Sequence, residues 1–249
     1  MPVLLMTVWL TGCVQEELGS TPSPTGNGIR FTLTVPDVNL PSVSSRTMTG
    51  TGTAKKEDEI ETVDILVFDM SKTPAVYLEC VSATGVTQDL ADNSTVSFSA
   101  VLSPTTASTC IVVVANKELD NIVPGFIKGT TTKVEAMEKM LHAQTGKWLA
   151  DGSTTDGYTR IPMYGEKVIS KITPSMDPIT GINMKRMLAR IDIRNNSATS
   201  NFTVEEVYLA NYNTTGYIAP AWNTNGQVTD PAPDTPVLPV NSGKMTEEG

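Results

Sequence analysis

One histidine, His142, and three cysteines are all that this 249-residue chain offers toward the usual metal and nucleophile chemistry. Such sites draw on clusters of these residue types, so the shortage alone excludes most of them. Basic residues are scarce as well: 18 Lys+Arg against 27 Asp+Glu leave a net charge of −9. Phosphate recognition needs a clustered basic surface that releases counterions, and no Lys/Arg cluster occurs, so nucleic acid is not a partner. No G-x-S-x-G, Walker loop, H-E-x-x-H or paired C-x-x-C is present, which leaves no catalytic constellation and no cofactor or metal site to assign. The only long apolar run, residues 3 to 11, is too short to cross a hydrocarbon core that needs roughly 20 residues in a helix.

What is present is a composition suited to a packed core, 39% hydrophobic and 18% charged, at a length fitting one large or two smaller domains. The opening MPVLLMTVWLTGC reads as the apolar region of an export signal, residues 1–12, which is set aside from fold reasoning. Leu10-Thr11-Gly12-Cys13 resembles the lipobox of bacterial lipoproteins, in which the cysteine is acylated after cleavage. Gln15-Glu16-Glu17 resembles the acidic signal that sends such lipoproteins to the outer face of the outer membrane. Residues 13–28, rich in Gly, Ser, Thr, Pro and Asn, read as a flexible tether.

Strand periodicity then begins. Ile29, Phe31, Leu33 and Val35 alternate with Arg30, Thr32 and Thr34, the pattern of a half-buried strand that stops at Pro36. A polar loop from Asn39 to Glu59 carries Arg46 within SSRTMTG, and its small polar residues make it exposed and cleavable. Ile60–Asp69 is apolar enough for a strand covered on both faces, and Val76–Val81, Thr95–Leu102 and Thr109–Asn116 continue the series. One segment has helical period, with Val134, Met137, Met140 and Leu141 on one face. Thr132 and Glu135 form its capping box, and Gly146 marks its stop. Val63, Ile65, Val67, Phe98, Ile111 and Val113 are the expected core.

IPMYGE reads as a turn before a strand around Val168–Ile172, and Pro174, Pro178 and Gly181 place a domain boundary near residue 180. Met187-Leu188-Ala189-Arg190-Ile191-Asp192-Ile193 opens a second β-rich block that includes Phe202, Val204, Val207, Leu209 and Tyr217–Pro220. Residues 29–178 are therefore expected to form an N-terminal β-sandwich domain, and residues 179–249 a C-terminal β-domain. The tail from Thr224 onward carries no long strand.

The remaining polar residues favour structural roles. His142 is expected to end the helix, where a cation suits the C-terminal dipole. Glu57, Asp58, Glu59 and Glu61 lack calcium-loop spacing and read as a solvated strand entry. Cys80 and Cys110 fall on strands in an oxidising compartment, so a disulfide and two buried thiols are both open. Trp148, Tyr217 and Trp222 read as packing residues in preference to a glycan platform.

The order of features resembles the Bacteroidales fimbrillins, or type V pilins. Carrying the resemblance are the lipobox at Cys13, IRFTLTV ahead of SSRTMTG, DEIETVDILVFD, TCIVVVAN, IPMYGE, MLARIDIRNN and VEEVYLANYNTTGYIAP. It implies an all-β protein of two transthyretin-like β-sandwich domains with one short helix, anchored in the outer membrane by lipid and assembled into a surface fimbria that serves adhesion. Its processing site maps onto Arg46 and Thr47. A cut there would free the strand containing Ile29, Phe31, Leu33 and Val35, which until then plugs its own sheet. The opened edge would accept a donor strand from another fimbrial subunit. The family's donor strand comes from the C-terminal region, and with only about seventy residues after the boundary the second domain is expected to be short. The alternative expectation is a monomeric outer-membrane surface lipoprotein whose loops bind a glycan or a host protein.

Overall fold

A computed structural model describes residues 29–35, 59–89, 95–143, 160–188, 205, 206, 208, 210–229, 237–240 and 243–245. Cys13, Arg46, Thr47, Trp148 and Gly146 lie outside them. The described elements in chain order are β1 (Ile29–Thr34), β2 (Val63–Asp69), β3 (Val76–Ser82), β4 (Thr84–Gln88), β5 (Thr95–Ala100) and β6 (Thr109–Ala115). They continue with α1 (Lys133–Lys139), β7 (Leu141–Ala143), β8 (Met163–Ile169), β9 (Ile179–Asn183), β10 (Lys185–Arg186), β11 (Tyr212–Asn213), β12 (Thr215–Tyr217) and β13 (Lys244–Met245).

Two sheets face each other, one ordered β4-β5-β1-β9 and the other β10-β8-β6-β2-β3. All expected core residues are buried in the cluster between them. Among the described residues the four-stranded sheet is covered on one face only, and its strands alternate accordingly: in β5, Val96, Phe98 and Ala100 are buried between Thr95, Ser97 and Ser99. The five-stranded sheet is covered on both. Val63, Ile65, Val67, Ile111 and Val113 point into the inter-sheet core, while Leu66, Phe68, Cys110, Val112 and Val114 point into a second, outer cluster. Double burial is why β2 and β6 read as continuous apolar runs.

The outer cover is the helix, the loop before it and part of the C-terminal region. Thr132 caps α1 as expected: its side chain accepts from the Glu135 amide, and the Glu135 carboxylate accepts from the Thr132 amide. The buried face is Lys133, Ala136, Met137 and Met140, at i, i+3, i+4 and i+7. Val134 and Leu141, expected on that face, are only half-buried. Ile218 and Ala219 complete the outer cluster.

The strands differ from the sequence expectation in three places. Met163-Tyr164-Gly165-Glu166 is not a turn but the start of β8, paired along its length with β6. Glycine here marks a close approach: a Cβ on Gly165 would stand 2.7 Å from Met184 Sδ, 2.8 Å from Ile182 Cγ2 and 3.1 Å from the Asn183 carbonyl oxygen. The boundary near residue 180 falls inside the first sandwich. There β9 joins the four-stranded sheet, the chain crosses at Met184, and β10 pairs with β8 in the opposite sheet. Gly181, read as a boundary signal, is a left-handed residue within β9, φ +70°. His142 does not end the helix, which stops at Lys139; it lies in β7, opposite Gly216 of β12. Most of the restart segment, residues 189–204, is outside the described residues, and beyond it the described strands are the short β11, β12 and β13.

Gly165→Ala is expected to lower stability by roughly 1–3 kcal/mol, because Met184 and the crossing backbone must give way to the methyl group. Urea unfolding followed by circular dichroism, with wild type alongside, measures the loss.

Candidate functional site

Of the residues singled out for function, Ile29, Phe31, Leu33 and Val35 lie on β1 and at its end. This strand occupies an interior position of its sheet, antiparallel to β5 over Ile29↔Ala100 through Thr34↔Thr95, and parallel to β9 at Phe31↔Ile179, Leu33↔Ile182 and Thr34↔Asn183. The Met184 amide donates to the Thr34 carbonyl at 2.9 Å and extends the parallel side. Ile29, Phe31, Leu33 and Val35 are buried in the inter-sheet core, while Arg30 and Thr34 are exposed. Phe31 stacks on Phe98 with centroids 5.0 Å apart and planes 8° from parallel. Strand alternation positions these four side chains as one apolar row, as the sequence indicated. The partnership with β9, about 150 positions away, was not foreseen, because a parallel pairing leaves no turn signal.

Cys80 and Cys110 do not form a disulfide, and both thiols are free. The physical reason is the strand order: β2 lies between β3 and β6, with Leu66 opposite Cys80 and Phe68 opposite Cys110. Two strand spacings, roughly 9–10 Å, exceed what a disulfide can bridge. Burial pushes each thiol up to about 12, assisted at Cys80 by the nearby Asp64.

Sequence reasoning missed two charged groupings. Arg160 binds Glu59 at 3.3 Å and Glu61 at 2.7 Å, so two of the four clustered acids, solvent-exposed at 38% and 60%, are also engaged by a cation. This bridge borders an open polar cavity of about 380 Å³ whose lining also includes Asn116, Lys117, Glu118 and His142. The second grouping is centred on a buried lysine and tyrosine, with a half-buried glutamate. Lys133 Nζ donates to Glu166 Oε2 and to the Gly226 carbonyl, each at 2.6 Å, and the Tyr164 hydroxyl donates to Glu166 Oε2 at 2.6 Å. Burial, with Glu166 beside it, raises the Tyr164 hydroxyl well above its ordinary value. The helical period was legible at Met137 and Met140, but Lys133 was not placed on that face, because a lysine reads as polar until its partner is known. Tyr217 and Trp222 meet edge to face at 4.9 Å, and Trp222 packs against the outer cluster. Among the described residues no group of acids, histidine or cysteines is placed to hold a metal, and no helix is long and apolar enough to cross a membrane.

A family model described as fimbrillin-A associated anchor proteins Mfa1 and Mfa2 matches residues 23–247. No curated protein matches the chain. Among solved structures, a fimbrial assembly protein from Parabacteroides distasonis is 14% identical, with 89% of this chain and 82% of that chain covered and a TM-score of 0.44. A second protein of the same species, provisionally described as a cell adhesion protein, is 16% identical, covers 90% and 65%, and has a TM-score of 0.48. Proteins provisionally described as polysaccharide-binding, from Bacteroides thetaiotaomicron, give 12% identity, 64% and 47% coverage, and a TM-score of 0.32.

The thiol environment makes a direct prediction. With Cys80 and Cys110 raised from 9.0 to about 12, each thiolate fraction at pH 8 is about a thousandfold below that of an ordinary cysteine. Iodoacetamide should therefore leave both unmodified in the folded protein and label both in guanidinium, as read by peptide mass. Because a raised thiol pKa favours the neutral form, reactivity should return only as pH climbs toward that value.

Proposed function

The chain belongs to the family of fimbrillin-A associated anchor proteins Mfa1 and Mfa2, and from that premise we propose that it is a structural subunit of a cell-surface fimbria. On this reading it is exported as a lipoprotein acylated at Cys13, held in the outer membrane, and joined to other fimbrial subunits by strand exchange at the position of β1 to serve adhesion. The observation that carries the exchange step is the interior placement of β1 with four buried apolar side chains, followed in sequence by the loop that contains Arg46 and Thr47. Burying those four side chains contributes a gross gain of roughly 6 to 12 kcal/mol before ordering costs. A donor strand that replaced β1 would recover the same burial and both ladders, which makes the exchanged state slow to reverse.

Covalent order separates two states of such a subunit. Cys13 precedes the Arg46–Thr47 bond, so a cut there leaves the lipid attached to the strand and detaches it covalently from the body. The uncut chain is the membrane-held form. The cut chain, once β1 departs, is the form with an open slot. An anchoring role therefore requires an intact Arg46–Thr47 bond, and a chain-extending role requires a cut one.

Both halves are testable. Cys13→Ala should move the protein from the membrane to the soluble fraction. One lipid anchor buries several tens of CH₂ groups at about 0.8 kcal/mol each, so partitioning should be all or nothing. Treatment of purified protein with an arginine-specific protease should yield oligomers, or capture of an added donor-strand peptide, from wild type. Arg46→Ala protein should remain monomeric. Equal behaviour of the two proteins would refute exchange at β1 and favour the monomeric surface lipoprotein.

A further inference from the structure

Residues 212–229 form a strap across the outer face of the five-stranded sheet, and its attachments differ in kind from those of the strands beneath. Among the described residues β11 pairs with β13 at Tyr212↔Met245 and Asn213↔Lys244, and β12 pairs with β7 at Thr215↔Ala143, Gly216↔His142 and Tyr217↔Leu141. The Ile218 amide then donates to the Met140 carbonyl at 3.0 Å, and Ile218 and Ala219 are buried. Next comes a short hairpin closed by the Trp222↔Val228 bridge, in which Asn223 Oδ1 accepts from the Asn225 and Gln227 amides and Gly226 is left-handed, φ +74°. By contrast β6, below it, is paired over its full length on both sides.

The hairpin tip lies on the buried charge. Lys133 is 1% exposed, and its ammonium has three donors. One goes to Glu166 Oε2 and one to the Gly226 carbonyl, both at 2.6 Å. Glu166 answers from the sheet, its Oε2 also accepting from the Tyr164 hydroxyl and its Oε1 from the Val228 amide at 3.3 Å. Helix, sheet and strap thus meet at one ion pair. Gly226 fits because it has no side chain: a Cβ there would stand 3.3 Å from both Lys133 Cβ and Val134 Cγ2.

We infer that the Lys133–Glu166–Tyr164 cluster is a lock on this strap, which opens as one unit while the sandwich beneath stays folded. A segment with short ladders, held by one concentrated polar anchor, opens locally at a lower free energy than a sheet paired on both edges. The lock also dictates where the hairpin sits. Only a placement that brings the Gly226 carbonyl to Lys133 and the Val228 amide to Glu166 satisfies the ammonium donor and the carboxylate oxygen that the ion pair itself leaves over. In a fimbrial subunit the strap would be the first part to yield under tension. That use rests on the proposed function, whereas the lock rests on the geometry alone.

Hydrogen exchange of the unloaded full chain, read by peptide mass, tests the lock independently of any fimbrial role. In wild type, amides of 212–229 should exchange before those of β2 and β6. Gly226→Ala, which keeps both charges but strains the tip, should speed exchange of the strap about tenfold or more and leave β2 and β6 unchanged. Lys133→Met should do the same. Should that variant fail to fold because Glu166 is left unpaired, the double variant Lys133→Met with Glu166→Leu removes the charge pair altogether and should restore the sandwich with an open strap. Unchanged strap exchange in Gly226→Ala and in the folded lysine variant would overturn the lock. So would strap and β6 amides exchanging together in wild type.

Discussion

Every residue of Thr109–Ala115 is buried, and this demand for cover on both faces of β6 organises the rest of the molecule. Its edges are closed by β2 and β8, which satisfies the backbone, but the side chains need two apolar layers. The inner layer is a second sheet whose own outer surface is polar. The outer layer is assembled from unrelated parts: the short helix, the loop leading to it, and the strap containing Ile218 and Ala219. A seven-residue helix covers too little surface alone, so the outer face recruits chain from far along the sequence.

This division explains what was legible in the sequence. Side-chain period reports how many faces of a strand are buried, so β1 and β5 were readable as half-exposed, and β2 as doubly covered. The capping box reports a helix start, and Thr132 and Glu135 fulfil it. Period does not report partners. β9 and β1 are joined by a parallel pairing with no local trace, and Arg160 reaches acids about 100 positions away. Gly165 was misread because glycine serves equally as a breaker and as the place where another backbone passes close, and Gly181 because a left-handed residue can also sit within a strand. His142 was misplaced for a related reason. The helix ends a turn early because Leu141–Ala143 is claimed as an edge by β12, and tertiary pairing overrode the helical pattern.

The placement of β1 also gives its slot a direction. A strand lying between β5 and β9 in the sense of β1 is antiparallel to one neighbour and parallel to the other. A strand entering in the opposite sense would exchange the two ladder types, and the hydrogen-bonding groups of β5 and β9 are spaced for one arrangement and not the other. Register is restricted as well, since a slip of one residue would turn Ile29, Phe31, Leu33 and Val35 away from the core. Any replacement for β1 must therefore match orientation, register and an apolar row at alternate positions.

The charged cluster at Lys133 applies the same logic to the outer face. Apolar surfaces alone would hold a hairpin against the helix and sheet in several shifted positions, because burial is indifferent to small translations. A buried ammonium is not indifferent. Its donors require acceptors at fixed points, and a shifted hairpin gives up the Gly226 carbonyl's bond to Lys133 and the Val228 amide's bond to Glu166, leaving polar groups unsatisfied beneath it. Replacing the pair by apolar residues can leave overall stability nearly unchanged, so what the cluster supplies is position. The inner face achieves uniqueness by continuous pairing across two sheets. The outer face, lacking the length of strand to do so, achieves it with one ion pair at the point where helix, sheet and strap meet.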